Sequence, residues 1–105
     1  MKKLKALLIT IAIAGAATYA YARSQVINAS QEVSGNQHPG TASVKGPASI
    51  TCITAVGTSA TCYIQGPGVA QQIPKGGTVG TSGAGTVTLT CNGQGALRCS
   101  ARITD

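Results

Sequence analysis

The 105-residue sequence predicts an all-β fold: a small, disulfide-stabilised antiparallel sandwich of about six to seven short strands behind an N-terminal signal peptide. Three observations carry that prediction. The stretches 48–65 and 86–104 alternate apolar and polar residues with period two, the pattern of half-buried strands. Four cysteines stand in a chain with no Phe and no Trp, so covalent links must supplement a core of small aliphatic side chains. An apolar run behind three lysines opens the chain and points to export into an oxidising compartment.

Lys2, Lys3 and Lys5 form the basic n-region of the signal, and Leu4 to Ala17 its apolar h-region. Ala20-Tyr21-Ala22 fits the small-x-small cleavage rule, with the cut before Arg23. A membrane span is the competing reading, since Leu4 to Ala22 approaches the ~20 residues a span needs. Thr18, Tyr19 and Tyr21 dilute that run and favour the signal, so membrane association is expected only through this segment if it stays uncleaved. The expected organisation is a signal peptide at 1–22, an extended polar leader at 23–46 and a small β domain at 47–105. The expected location is periplasmic, cell-surface or extracellular.

Composition then excludes whole classes of partner. Beyond the signal, Arg23, Lys45, Lys75, Arg98 and Arg102 stand against Glu32 and Asp105. That modest positive balance is no footprint for a phosphate backbone, which needs many Lys and Arg on one face. Tyr63 is the single aromatic residue left, so stacking platforms for bases or sugars are not available. No nucleic acid is expected as a partner, and a protein is.

The segment Ser24 to Pro47 is polar, with one short apolar alternation at Ile27, Ala29 and Val33. It has too few bulky residues to offset its ordering entropy, which predicts a disordered or loosely docked leader. The sharper reading is an extended segment that adds as a strand to a neighbouring subunit's sheet edge. His38 precedes Pro39-Gly40, a turn signal, and reads as a solvated loop residue. Asn28-Ala29-Ser30 matches the N-glycosylation acceptor pattern.

From Ala48 the strands begin. Ile50, Cys52 and Val56 fall on one face and Thr51 and Ala55 on the other, with Ile53 breaking the rule. Cys62 and Ile64 share a face opposite Thr61, Tyr63 and Gln65, and Gly66-Pro67-Gly68 is a firm break. Val69 to Ile73 is a short strand candidate closed by Pro74, which suits a strand end or edge. Residues 75–85 are glycine-rich but lack the Gly-Lys-Ser/Thr opening of a phosphate loop, and read as a loop with one short strand at Thr78 to Thr81.

The last segment alternates most cleanly. Val87, Leu89 and Cys91 point one way, and Leu97, Cys99, Ala101 and Ile103 match them on the return. Arg98, Ser100, Arg102 and Thr104 face water. An Asn92-Gly93 turn is the strongest short hairpin signal, yet it would set Val87 against Arg98. Pairing Cys91 with Cys99 sets Leu89 against Ala101 and Val87 against Ile103, so the expected loop is Gln94-Gly95-Ala96. The same arithmetic sets Cys52 against Cys62 and Ile50 against Ile64, with Val56-Gly57-Thr58 at the tip.

An even cysteine count in a short exported chain predicts two disulfides from Cys52, Cys62, Cys91 and Cys99. Zinc is the rival, but no closely spaced Cys pair is present and the one His lies far off, so no metal site is expected. Directly opposed strand residues lie within disulfide range, which favours Cys52–Cys62 and Cys91–Cys99. Pairings that join the two hairpins stay open, because all four side chains face inward.

The inventory for catalysis is one His, one Glu and one Asp, with the thiols consumed. No catalytic residue, no cofactor and no enzyme activity are expected. The architecture suggested by these strands is an immunoglobulin-like or pilin-like sandwich. Two functions fit it. The first is a secreted or envelope structural subunit that assembles, with itself or in a larger complex, by strand addition through the leader. The second is a small monomeric binding module, such as an inhibitor or accessory protein, presenting the loops 56–58 and 94–96 with Arg98 and Arg102 beside one of them.

Overall fold

A computed structural model describes residues 23–105. The signal peptide and its cleavage site lie outside the described residues. Seven strands follow in order: β1 (Ser24–Gln31), β2 (Gln37–His38), β3 (Gly40–Val44), β4 (Ser49–Gly66), β5 (Val69–Ile73), β6 (Thr78–Gly80) and β7 (Gly85–Thr104). All pairings are antiparallel. The all-β class is as expected, but the strands are not uniformly short. β4 runs for 18 residues and β7 for 20, and they pair along almost their whole length, from Ser49↔Thr104 to Gln65↔Thr88.

Neither long strand is straight. Cys52 and Cys62 lie ten positions apart in β4 with their Cα atoms 6.0 Å apart, and Cys91 and Cys99 lie eight apart in β7 at 5.4 Å. Ten residues of straight strand would span about 33 Å. Each strand therefore doubles back, and the β4–β7 ribbon folds over into two facing layers. The first layer holds β1, the last part of β7, the first part of β4, and β6. The second holds β3, the first part of β7, the last part of β4, and β5.

The core is the space between the layers. β7 buries Val87, Leu89, Cys91, Leu97, Cys99, Ala101 and Ile103, as its alternation predicts. Ile50, Cys52, Cys62 and Ile64 join them from β4, each fully buried. The disulfides Cys52–Cys62 and Cys91–Cys99 are the favoured pairs. The geometry behind that choice is different, however. The segments around each disulfide are not hairpins but arches, whose halves meet through side chains across the core. Within the sheet Cys62 lies opposite Cys91, Cys52 opposite Ala101 and Cys99 opposite Ala55. Ile50 pairs with Ile103, Ile64 with Leu89, and Val87 with Ala42. The expected in-sheet partners Ile50/Ile64, Leu89/Ala101 and Val87/Ile103 are replaced accordingly.

A second correction concerns Val56. It stands 60% exposed, because the ladder shifts register between Cys52 and Thr54. One extra residue in a strand reverses the facing of everything after it. Ala55 consequently turns inward to pack against the core and Val56 turns out.

The third correction is the leader. Residues 24–44 are not a tail: β1 pairs residue for residue with β7 from Ser24↔Thr104 to Gln31↔Leu97, and β3 pairs with β7 from Gly40↔Leu89 to Val44↔Gly85. Ile27, Ala29 and Val44 are buried in the common core. Residues 23–46 and 47–105 therefore share one hydrophobic interior. Few bulky side chains suffice here because the backbone ladder to β7 supplies much of the attachment.

The first and last described residues clasp each other. Arg23 and Asp105 exchange two backbone hydrogen bonds of 3.1 Å, and the Arg23 guanidinium donates to Asp105 Oδ2 at 3.0 Å. The backbone N–H of Lys45 donates to the same oxygen at 2.9 Å. The Arg23 hydrogen bond, then the Lys45 N–H, hold the Asp105 carboxyl below its ordinary value of 3.8. A lowered folded pKa means that the clasp contributes fully above the unfolded value and is lost as pH falls through the folded one. Thermal unfolding of the wild type is thus expected to shift downward as pH drops below about 4. Asp105→Asn should show a flatter acid limb. Equal acid limbs in the two proteins would rule the clasp out as a source of stability.

Candidate functional site

The outer face of the first layer is built from the outward-pointing residues of three neighbouring strands. Strand register sets them in rows across the face: Val26, Arg102 and Thr51; then Asn28, Ser100 and Thr54; then Ser30, Arg98 and Val56. The last two rows, with His38 and Pro39 at the rim, line a groove of about 740 Å³. A smaller depression of about 380 Å³ continues it through Gln31 and Ala96 toward the fold of the ribbon. Paired strands over a disulfide-linked core hold the floor, since Ala29 and Cys99 in that floor are themselves buried.

The groove is rich in hydrogen-bonding groups. Ser100 Oγ donates to Asn28 Oδ1 at 2.8 Å, which orients the Asn28 amide on the exposed side of β1. Thr54 and Ser30 add hydroxyls and Arg98 a guanidinium. His38 sits on β2, directly across from Ser30, with its Nε2 3.7 Å from Glu32 Oε2. That carboxylate neighbour was not legible in the sequence, because it depends on the 32–36 turn closed by Glu32 N–H to Asn36 O at 2.8 Å. The remaining ion pair among the described residues is Arg23–Asp105, at 3.0 Å. Arg98 and Arg102, both exposed, have no acidic partner among the described residues.

The tips of the two arches gather at one end of the groove. Thr58 pairs with Gln94, so the loops 56–58 and 94–96 are neighbours, as a shared contact surface requires. A glutamine network pins them to the first strands. Gln31 Nε2 donates to the carbonyls of Gly93 and Gly95 at 3.3 and 3.1 Å. Gln37 Nε2 donates to Asn92 Oδ1 and to Gln31 Oε1, each at 3.2 Å.

The cysteines singled out by the sequence occupy the interior, where the layers meet, and none is free. Among the described residues no three His, Cys, Asp or Glu side chains gather in a metal-binding group. Sequence reasoning placed Arg98, Ser100 and Arg102 on an outer face but missed the groove, whose other wall comes from Asn28 and Ser30. The alternation Val26-Ile27-Asn28-Ala29-Ser30 carried that signal, weakly. What the arrangement can do chemically is bind: it offers directed N–H and O–H donors, two cations and two exposed valines on a stiff surface. No family model, curated protein or solved structure matches this chain.

Proposed function

We propose that this chain is an exported, non-catalytic recognition module whose working surface is the outer face of the first layer. The observation that carries this reading is the groove itself, in which strands from distant parts of the chain hold hydrogen-bond donors and an unpaired arginine over a buried core. Two intramolecular disulfides are compatible with an oxidising, exported environment. Strand donation by the leader has less support, because β1 is already zipped to β7 of its own chain over eight residues. Removing residues 23–44 to test donation would also remove Ile27, Ala29 and Val44 from the core.

Assembly keeps one specific argument. β5 pairs with β4 on one side only, and Ala70, Gln71 and Gln72 are exposed along it, so an edge is open to strand addition. The immunoglobulin-like or pilin-like kinship belongs with this second reading. Light scattering across a wide concentration range separates the two. The wild type is expected to remain a monomer, and the double variant Ala70→Lys/Gln71→Lys to behave identically. Concentration-dependent assemblies that disappear in the double variant would replace the recognition module with a self-assembling subunit.

A further inference from the structure

We infer that the outer face of the first layer takes an acidic segment of another protein, laid extended along β7 with carboxylates four residues apart over Arg98 and Arg102. The inference rests on the recognition reading above and names the partner's chemistry. Arg98 and Arg102 lie on one strand and point the same way, about 13 Å apart along it. An extended partner strand repeats at the same rise, so carboxylates at positions i and i+4 match both guanidiniums. Each guanidinium can hold a carboxylate through two parallel hydrogen bonds.

The surface between and beside the arginines fits the rest of such a segment. Ser100 lies midway, bonded to Asn28, whose amide N–H groups have no partner among the described residues. Val26 lies across from Arg102 and Val56 across from Arg98, 49% and 60% exposed. They are two of the three large hydrophobic side chains exposed among the described residues, and both are on this face. Because each valine sits beside an arginine, on the strand flanking β7, the edges of a segment laid over β7 cover the valines while its carboxylates meet the arginines.

Charge also excludes the other occupants. A second copy cannot supply the carboxylates, since the whole chain has two acidic residues. Asp105 is engaged by Arg23 and Lys45, and Glu32 faces His38. A sugar chain would want an aromatic platform, and Tyr63 belongs to the second layer. Two cations without aromatic neighbours are too few for a nucleic acid.

The test titrates the oxidised, isotopically labelled protein with the synthetic peptide Asp-Thr-Val-Thr-Asp, its Asn-Thr-Val-Thr-Asn counterpart and an oligouronate, following backbone amide shifts. The acidic peptide is expected to give saturable shifts confined to residues 26–30, 54–56 and 98–102, weakened by salt. Arg98→Gln/Arg102→Gln should lower its affinity at least tenfold while leaving the remaining spectrum in place. Equal binding of the Asn peptide, or shifts centred elsewhere, would overturn the acidic-segment proposal. Tighter binding of the oligouronate at the same residues would also overturn it, yet leave the recognition face standing. Absence of saturable shifts on this face with every probe would remove the recognition reading as well.

Discussion

Full reduction of both disulfides is expected to unfold this protein at room temperature. In the chain-entropy description, closing loops of eight and ten residues contributes about 2.5 kcal/mol each. Their sum is close to ~5 kcal/mol, the low end of a domain's whole stability. The core has little in reserve: its largest fully buried side chains are Ile50, Ile64, Leu89 and Ile103, and no aromatic residue is among them. The disulfides also stand where the arches turn, linking the two halves of each long strand. Loss of one should be survivable. Cys91→Ala/Cys99→Ala is expected to remain folded with its midpoint lowered by about 10–20 °C, given ~4–8 °C per kcal/mol at this size. Far-UV circular dichroism and amide shift dispersion, measured with and without reductant, read the result directly. A reduced protein that keeps its native dispersion would show that the aliphatic core holds the layers together unaided.

The arches also explain what was legible beforehand. Alternation states which residues face the core, and β7 obeys it at every position from Val87 to Cys91 and from Leu97 to Ile103. It does not state which strand lies alongside. A hairpin and an arch both turn Leu89 and Ala101 inward, the first as in-sheet partners and the second across the interior. The disulfide pairing was therefore readable although the sheet register was not. Two cysteines facing one core near the same turn can meet in either arrangement.

The other differences have equally local causes. Ile53, which broke the alternation, marks the bulge that turns Val56 out, and a single irregular residue does not announce itself as a bulge without its partner strand. The leader looked incapable of folding because its side chains are small and polar. Its attachment comes from backbone pairing to a strand more than forty residues away, which composition does not record. The groove was hidden for the same reason, since one side is leader, the middle is β7 and the other side is β4.

A single methyl group at Gly57 is expected to be at least as damaging as the loss of a disulfide. Gly57 lies at the turn of the β4 arch with φ +122°, a backbone conformation that costs a residue with a Cβ about 1–3 kcal/mol. The space is closed as well: a Cβ there would come within 2.5 Å of Leu97 Cδ2 and 2.8 Å of the Ala96 carbonyl oxygen. Leu97 is buried at 2% exposure and Ala96 belongs to the facing tip, so relief requires the two tips to separate. Overpacking of this kind adds roughly another 1–3 kcal/mol. Gly95, on the opposing tip, supplies the control. Its φ is +74° but a Cβ there meets nothing within 4 Å, so Gly95→Ala carries only the backbone cost of about 1–2 kcal/mol. Urea unfolding with both disulfides intact should therefore place Gly57→Ala well below Gly95→Ala. Equal losses at the two glycines would mean that the tips are not packed together, leaving the disulfides alone to fold each strand back on itself.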